Sequence, residues 1–106
     1  MHWENLKQRI LSEPSEFNSY VEKLISANRF DDGEALGISI IVIKNGPERL
    51  SDEQWHVFIE NGLLPYNFVD KCERCTDDIP WSDMYSAIFI NKDHLCPFCR
   101  YLEKKE

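Results

Sequence analysis

Long apolar runs are missing from this 106-residue chain. The longest, Ile38 to Ile43, is interrupted by Ser39 and falls far short of the roughly 20 residues that a membrane-spanning helix needs. Glycine and proline are sparse, at four and five residues, and there is no low-complexity tract, so a packed domain is expected rather than a linker-like or fibrous chain. An excess of positive charge is missing too. Twelve Lys and Arg stand against nineteen Asp and Glu, a formal net charge of −7, which removes the diffuse attraction to nucleic acid or anionic lipid that basic proteins use and suits a partner with a basic surface better. The opening residues carry no basic-then-apolar signal pattern, so a cytoplasmic chain is expected. At this length there is room for one domain or two very small ones, and none for a large active site between domains.

Catalytic patterns are equally scarce. There is no Gly-rich phosphate loop and no spacing that recommends a Ser, His and acid set, so no enzymatic activity is expected. His2 and His56 have no partner visible in sequence, which leaves them without a general-base role. His94 lies in Asp93-His94-Leu95-Cys96 and invites comparison with HNH nucleases, whose Asp-His pair sits between zinc-binding doublets. In those enzymes a helix with a further metal-facing residue follows the pair, whereas here a second cysteine doublet begins at once, so His94 reads as a loop histidine.

What the chain does have is four cysteines in two Cys-x-x-Cys pairs. Cys72 and Cys75 are separated by twenty residues from Cys96 and Cys99, the arrangement of a four-thiolate zinc site. Two residues between thiolates let one tight turn aim both sulfurs at a single metal, and the longer interval returns the chain to complete the tetrahedron. Four sulfurs leave no position for water or substrate, so one structural Zn2+ is expected rather than a catalytic one. Two disulfides or four free thiols are the plain alternative, and a reducing compartment argues against the disulfides. Cys96-Pro97-Phe98-Cys99 also looks like the Cys-Pro-aromatic-Cys motif of glutaredoxins. That motif follows an early strand with most of its domain still to come, whereas seven residues follow Cys99 here.

The run from Cys72 to Met84, with Ile79 four residues after the second cysteine, Pro80 next to it and Met84 five further on, resembles the zinc finger of the DksA/TraR family. Ala87 stands near that family's small residue, and Leu95-Cys96-Pro97-Phe98-Cys99-Arg100 matches its returning Leu-Cys-x-x-Cys knuckle. The resemblance covers residues 72–102. It implies Cys72, Cys75, Cys96 and Cys99 as zinc ligands and a treble-clef-like knuckle, turn and C-terminal helix. Members of that family act on RNA polymerase through a long helical hairpin with an acidic tip. The acidic candidate here, Asp31-Asp32-Gly33-Glu34-Ala35, is flanked by short apolar segments, so what is carried over is the zinc module, with a transcription-associated role as an expectation.

Helical periodicity dominates residues 1–62. Trp3, Leu6 and Ile10 mark a short amphipathic helix ending near Glu13-Pro14, and Phe17, Tyr20, Val21, Leu24 and Ile25 form a second apolar stripe, read as core. Between Asp31-Asp32-Gly33-Glu34 and Asn45-Gly46-Pro47 the caps and length predict a third helix, although five of the six residues from 38 to 43 are β-branched and favour a strand. Ser51-Asp52-Glu53-Gln54 is a capping box opening a fourth helix that ends at Asn61-Gly62. A short helix or strand is predicted over Trp81 to Ile88, with Ser82 as candidate cap.

The expected architecture is therefore mainly α with a small α+β zinc knuckle. Three to four short helices over residues 1–62 pack on a treble-clef or zinc-ribbon-like module over 63–106, the two joined by an apolar connector into one compact unit. The expected function is a protein-interaction adapter or regulator, with Trp3, Trp55 and Trp81 as candidate anchors that serve equally as core. The alternatives are a direct nucleic-acid-binding zinc finger, for which Arg100, Lys104 and Lys105 are the candidate contacts, and an acidic mimic that occupies a nucleic-acid-binding cleft with the carboxylates at 31–34 and 77–83.

Overall fold

A computed structural model describes residues 3–30 and 33–105, the side chains of Trp3 and Lys105 excepted. Among the described residues six α-helices follow one another: α1 (Trp3–Ser12), α2 (Pro14–Ser26), α3 (Glu34–Asn45), α4 (Asp52–Val57), α5 (Trp81–Tyr85) and α6 (Pro97–Lys105). A 3-10 turn at Pro47–Arg49 precedes α4, while α4 and α5 run on without a break into π-helical turns at Phe58–Leu63 and Ser86–Ile90. The π turns are closed by five-residue hydrogen bonds, Leu64 N–H to Ile59 O at 3.0 Å and Asn91 N–H to Ser86 O at 2.8 Å. Among the described residues the only β pairing is an isolated antiparallel bridge, Lys71 with Asp78, so the chain is mostly helical and the β part expected of the knuckle shrinks to that bridge. No described helix is long and apolar enough to cross a membrane.

Local chemistry accounts for the helix ends. Pro14 opens α2, and Asn28, at φ 60, closes it in a left-handed turn in which Arg29 N–H reaches Leu24 O and Asn28 N–H reaches Ile25 O. α4 carries the anticipated reciprocal cap, with Gln54 N–H donating to Ser51 Oγ at 3.2 Å and Ser51 N–H to Gln54 Oε1 at 2.9 Å. Residues 34–45 are helical despite their β-branched run, with Gly46 at φ 91 ending the helix before Pro47. The cap candidates Asp31 and Asp32 lie outside the described residues. Ser82 does not cap α5: Pro80 holds that position, and Ser82 is exposed in the first turn.

The core is organised around α2, whose apolar stripe of Phe17, Tyr20, Val21 and Leu24 is buried against α1, α3 and α5. Trp81, at the start of α5, is the piece that joins the cysteine-bearing half to it. Its ring lies 4.8 Å from that of Phe17 and 5.6 Å from those of Tyr20 and Phe68, and the Arg9 guanidinium sits 4.6 Å above it. Arg9 also donates to Ile79 O, and Tyr20 Oη donates to Asn67 O, so α1 and α2 each grip the segment leading into α5. The same apolar cluster runs from Leu6 and Ile10 through Trp55 and Phe58 to Cys72, Cys96 and Cys99.

Candidate metal centre

The first doublet sits in a tight turn. Lys71 and Asp78 bridge across it, backed by an ion pair of 2.7 Å, and Cys72 N–H donates to Asp77 O at 2.8 Å. Within the turn, Thr76 N–H returns to Cys72 O at 3.0 Å and Arg74 N–H points at Cys72 Sγ at 3.4 Å. Closing so tight a loop forces Thr76 to φ 65, a left-handed conformation that a β-branched residue adopts only at a cost of about 1–2 kcal/mol. Thr76→Gly removes that strain but loosens the unfolded chain, so a net gain of up to about 1 kcal/mol is expected in denaturant melts of the zinc-loaded protein. A loss of stability would mean that the Thr76 hydroxyl, which donates to Cys75 O at 2.6 Å, matters more than the backbone.

The second doublet straddles the start of α6: Cys96 directly precedes it, Pro97 suits its opening position and Cys99 lies in its first turn. Cys99 N–H points back at Cys96 Sγ at 3.5 Å, and Arg100 N–H closes the turn on Cys96 O at 3.0 Å. The loop entering α6 is tied to the first doublet by Glu73 N–H, which donates to His94 O at 3.1 Å. His94 itself sits at φ 55, partly exposed, with Nδ1 3.3 Å from Glu73 Oε1. It therefore serves the loop, as its sequence context suggested.

These two turns bring all four cysteines together: one Sγ from each of Cys72, Cys75, Cys96 and Cys99 lies within 4.8 Å of every other. A tetrahedral zinc ion with Zn–S bonds of about 2.3 Å requires sulfurs about 3.8 Å apart. The Cys75–Cys96 separation of 3.7 Å meets that requirement. Cys72, Cys96 and Cys99 are buried and Cys75 is partly so, and none is in a disulfide. The donor set fits Zn2+, whose coordination the four sulfurs would complete.

Neither a protein-family model nor a curated protein nor a solved structure matches the chain. The metal assignment therefore rests on the residues and their geometry.

Four thiols this close cannot all ionise without a cation among them. Burial works against the Cys72 thiolate, but N–H groups of Cys75, Cys96 and Arg74 overcome it and lower that thiol to about 6. The N–H of Asp77 pulls Cys75 down, yet burial and the Cys72 and Cys96 sulfurs outweigh it and leave Cys75 raised. Burial, then the sulfurs of Cys75, Cys96 and Cys72, push Cys99 far up. These shifts make Cys72 the readiest of the cluster to ionise and hold protons on Cys75 and Cys99, which zinc must expel. Zinc affinity is expected to rise steadily with pH across the neutral range and to collapse below about 6, where Cys72 is protonated as well. Competition against a chromogenic chelator across that range checks this, and a pH-independent affinity would contradict it.

Other expected functional residues fall differently. Trp55 and Trp81 are core residues, 2% and 1% exposed, while the side chain of Trp3 lies outside the described residues. Arg100, a candidate nucleic-acid contact, is turned inward onto Asp83 and Asp93. The large exposed side chains include Tyr66, Phe98 and Tyr101, which no sequence argument singled out. Phe98 and Tyr101 share one face of α6 at i and i+3, and that spacing was legible once the helix was placed.

Proposed function

We propose that this chain is a small non-catalytic adapter or regulator in which one structural zinc, held by Cys72, Cys75, Cys96 and Cys99 in a treble-clef-like knuckle, fixes a surface that binds another protein. The observation that carries the reading is the closed cluster of four sulfurs, which offers a metal no open position and so ties it to folding and shape rather than to turnover. Charge favours a protein partner with a basic surface, in keeping with a net −7. It also weighs against direct nucleic-acid binding, because Lys71, Arg74 and Arg100 are paired with Asp78, Glu103, and Asp83 with Asp93, respectively. A transcription complex is the setting that the resemblance of residues 72–102 to the DksA/TraR zinc finger implies, and the cytoplasm the compartment.

The test is a salt-graded gel shift of the zinc-loaded chain on duplex and single-stranded nucleic acid, run beside zinc-dependent crosslinking to isolated RNA polymerase. No shift at about 50 mM salt, together with crosslinks lost on chelation, is the expected result. A shift that weakens steeply with rising salt would replace the adapter reading with a nucleic-acid-binding one.

A further inference from the structure

We propose that Arg100 is a positioning residue of the metal centre: its guanidinium, with Asp83 and Asp93, sets the placement of the second cysteine doublet relative to the first. The proposal rests on the zinc reading above. The Arg100 side chain is 12% exposed and makes five hydrogen bonds. Nε and Nη2 grip the Asp93 carboxylate at 2.8 and 3.1 Å, Nη1 grips both oxygens of Asp83 at 3.1 and 2.9 Å, and Nη2 also donates to Leu95 O at 3.0 Å. One side chain thereby joins three elements: α6, which carries Cys99 and directly follows Cys96; the 91–95 loop that leads to it; and α5, anchored in the core by Trp81 and Met84.

That loop needs a clamp. Lys92 and His94 both sit in the left-handed region, at φ 54 and 55, conformations that persist in non-glycine residues only where surrounding structure over-determines them. Besides Arg100, the bonds fastening it include His94 N–H to Ala87 O at 3.2 Å, Glu73 N–H to His94 O at 3.1 Å, and Leu95 N–H to Asp93 Oδ1 at 3.1 Å. Each of these positions the loop, but Arg100 alone in this set reaches from the ligand-bearing helix to α5. An ion pair withdrawn from water is a weak source of net stability yet a stringent geometric constraint, which is what a tetrahedral ligand set needs from its supports. Only a planar fork spans two carboxylates and a carbonyl, so lysine cannot replace it.

The test is Co2+ titration of the full chain followed by displacement with Zn2+, comparing wild type with Arg100→Lys, Arg100→Met, Asp93→Asn and, as a core control on α3, Val42→Ala. Wild type is expected to give the intense visible bands of tetrahedral cobalt thiolate. Arg100→Met and Arg100→Lys are expected to weaken zinc affinity about 10- to 100-fold and to shift or broaden those bands. Combining Arg100→Met with Asp93→Asn is expected to cost no more than Arg100→Met alone, while Val42→Ala lowers the melting temperature and leaves the spectrum unchanged. Arg100 variants with a wild-type spectrum and affinity would overturn the positioning role while leaving the zinc site intact. Absence of the bands in wild type would overturn the metal reading and this proposal with it.

Discussion

Stripping zinc from the loaded chain with a strong chelator at neutral pH is expected to unfold residues 71–105 and to abolish the single cooperative melt. A structural zinc site contributes on the order of 10–16 kcal/mol of apparent binding free energy in small domains, as much as the roughly 5–15 kcal/mol by which such domains are stable at all. Beyond the packing of Ile79, Trp81 and Met84 into the core, little else holds this region. It has one isolated bridge, two short helical stretches, and two residues in left-handed backbone between Ser86–Ile90 and Cys96. Removing the metal also leaves thiols in a buried cluster where ionisation of one opposes ionisation of the others. Amide exchange should show protection lost first in α6 and the 91–95 loop, then in α5, with the stripe on α2 failing last. Cys99→Ser should reproduce the effect, because it removes a ligand at a position 1% exposed. A melt indifferent to chelation would mean that the apolar cluster alone supports the C-terminal half.

Trp81→Ala is the largest single-site loss expected outside the cysteines, about 3–5 kcal/mol. The ring fills the space between Phe17, Tyr20 and Phe68 beneath Arg9, and no neighbour can collapse into it without abandoning its own packing. At about 4–8 °C per kcal/mol for a domain near this size, the melting temperature falls far enough to leave the variant barely folded. Trp81→Phe is the informative companion. The Trp81 Nε1 is buried without a hydrogen-bond partner, so phenylalanine deletes an unsatisfied donor along with some volume, and its cost is expected to be well under half that of alanine. Because Trp81 joins α2 to the segment between the doublets, Trp81→Ala is also expected to weaken zinc binding although it supplies no ligand. Equilibrium denaturation of both variants, with zinc competition, reads the two effects together.

The four-cysteine cluster was legible because its information is local. Each Cys-x-x-Cys pair is one turn, and two pairs at this interval have few other uses. α1, α2 and α4 were legible through the spacing of Leu6 and Ile10, the stripe from Phe17 to Leu24, and the Ser51–Gln54 box, all of which act within a few residues. Residues 38–43 were ambiguous because their β-branched side chains suit a strand equally well. The stop at Gly46 and burial of Ile38, Ser39 and Val42 settle them as helix. The π turns at Phe58–Leu63 and Ser86–Ile90 gave no sequence signal, since an extra residue in a turn is tolerated only when the tertiary packing on both sides demands it. The Arg100 clamp was invisible for a related reason: positions 83, 93 and 100 meet only after the chain has returned to the first doublet. An arginine beside a cysteine in a C-terminal helix reads as a surface cation until that return is known.

Native mass spectrometry of protein purified without chelator, with a thiol count before and after denaturation in mild acid, tests the central claim most directly. The account predicts one zinc per chain and four thiols that become reactive only after denaturation. A metal-free chain with four reactive thiols, or one lighter by two hydrogens for each oxidised pair, would contradict it.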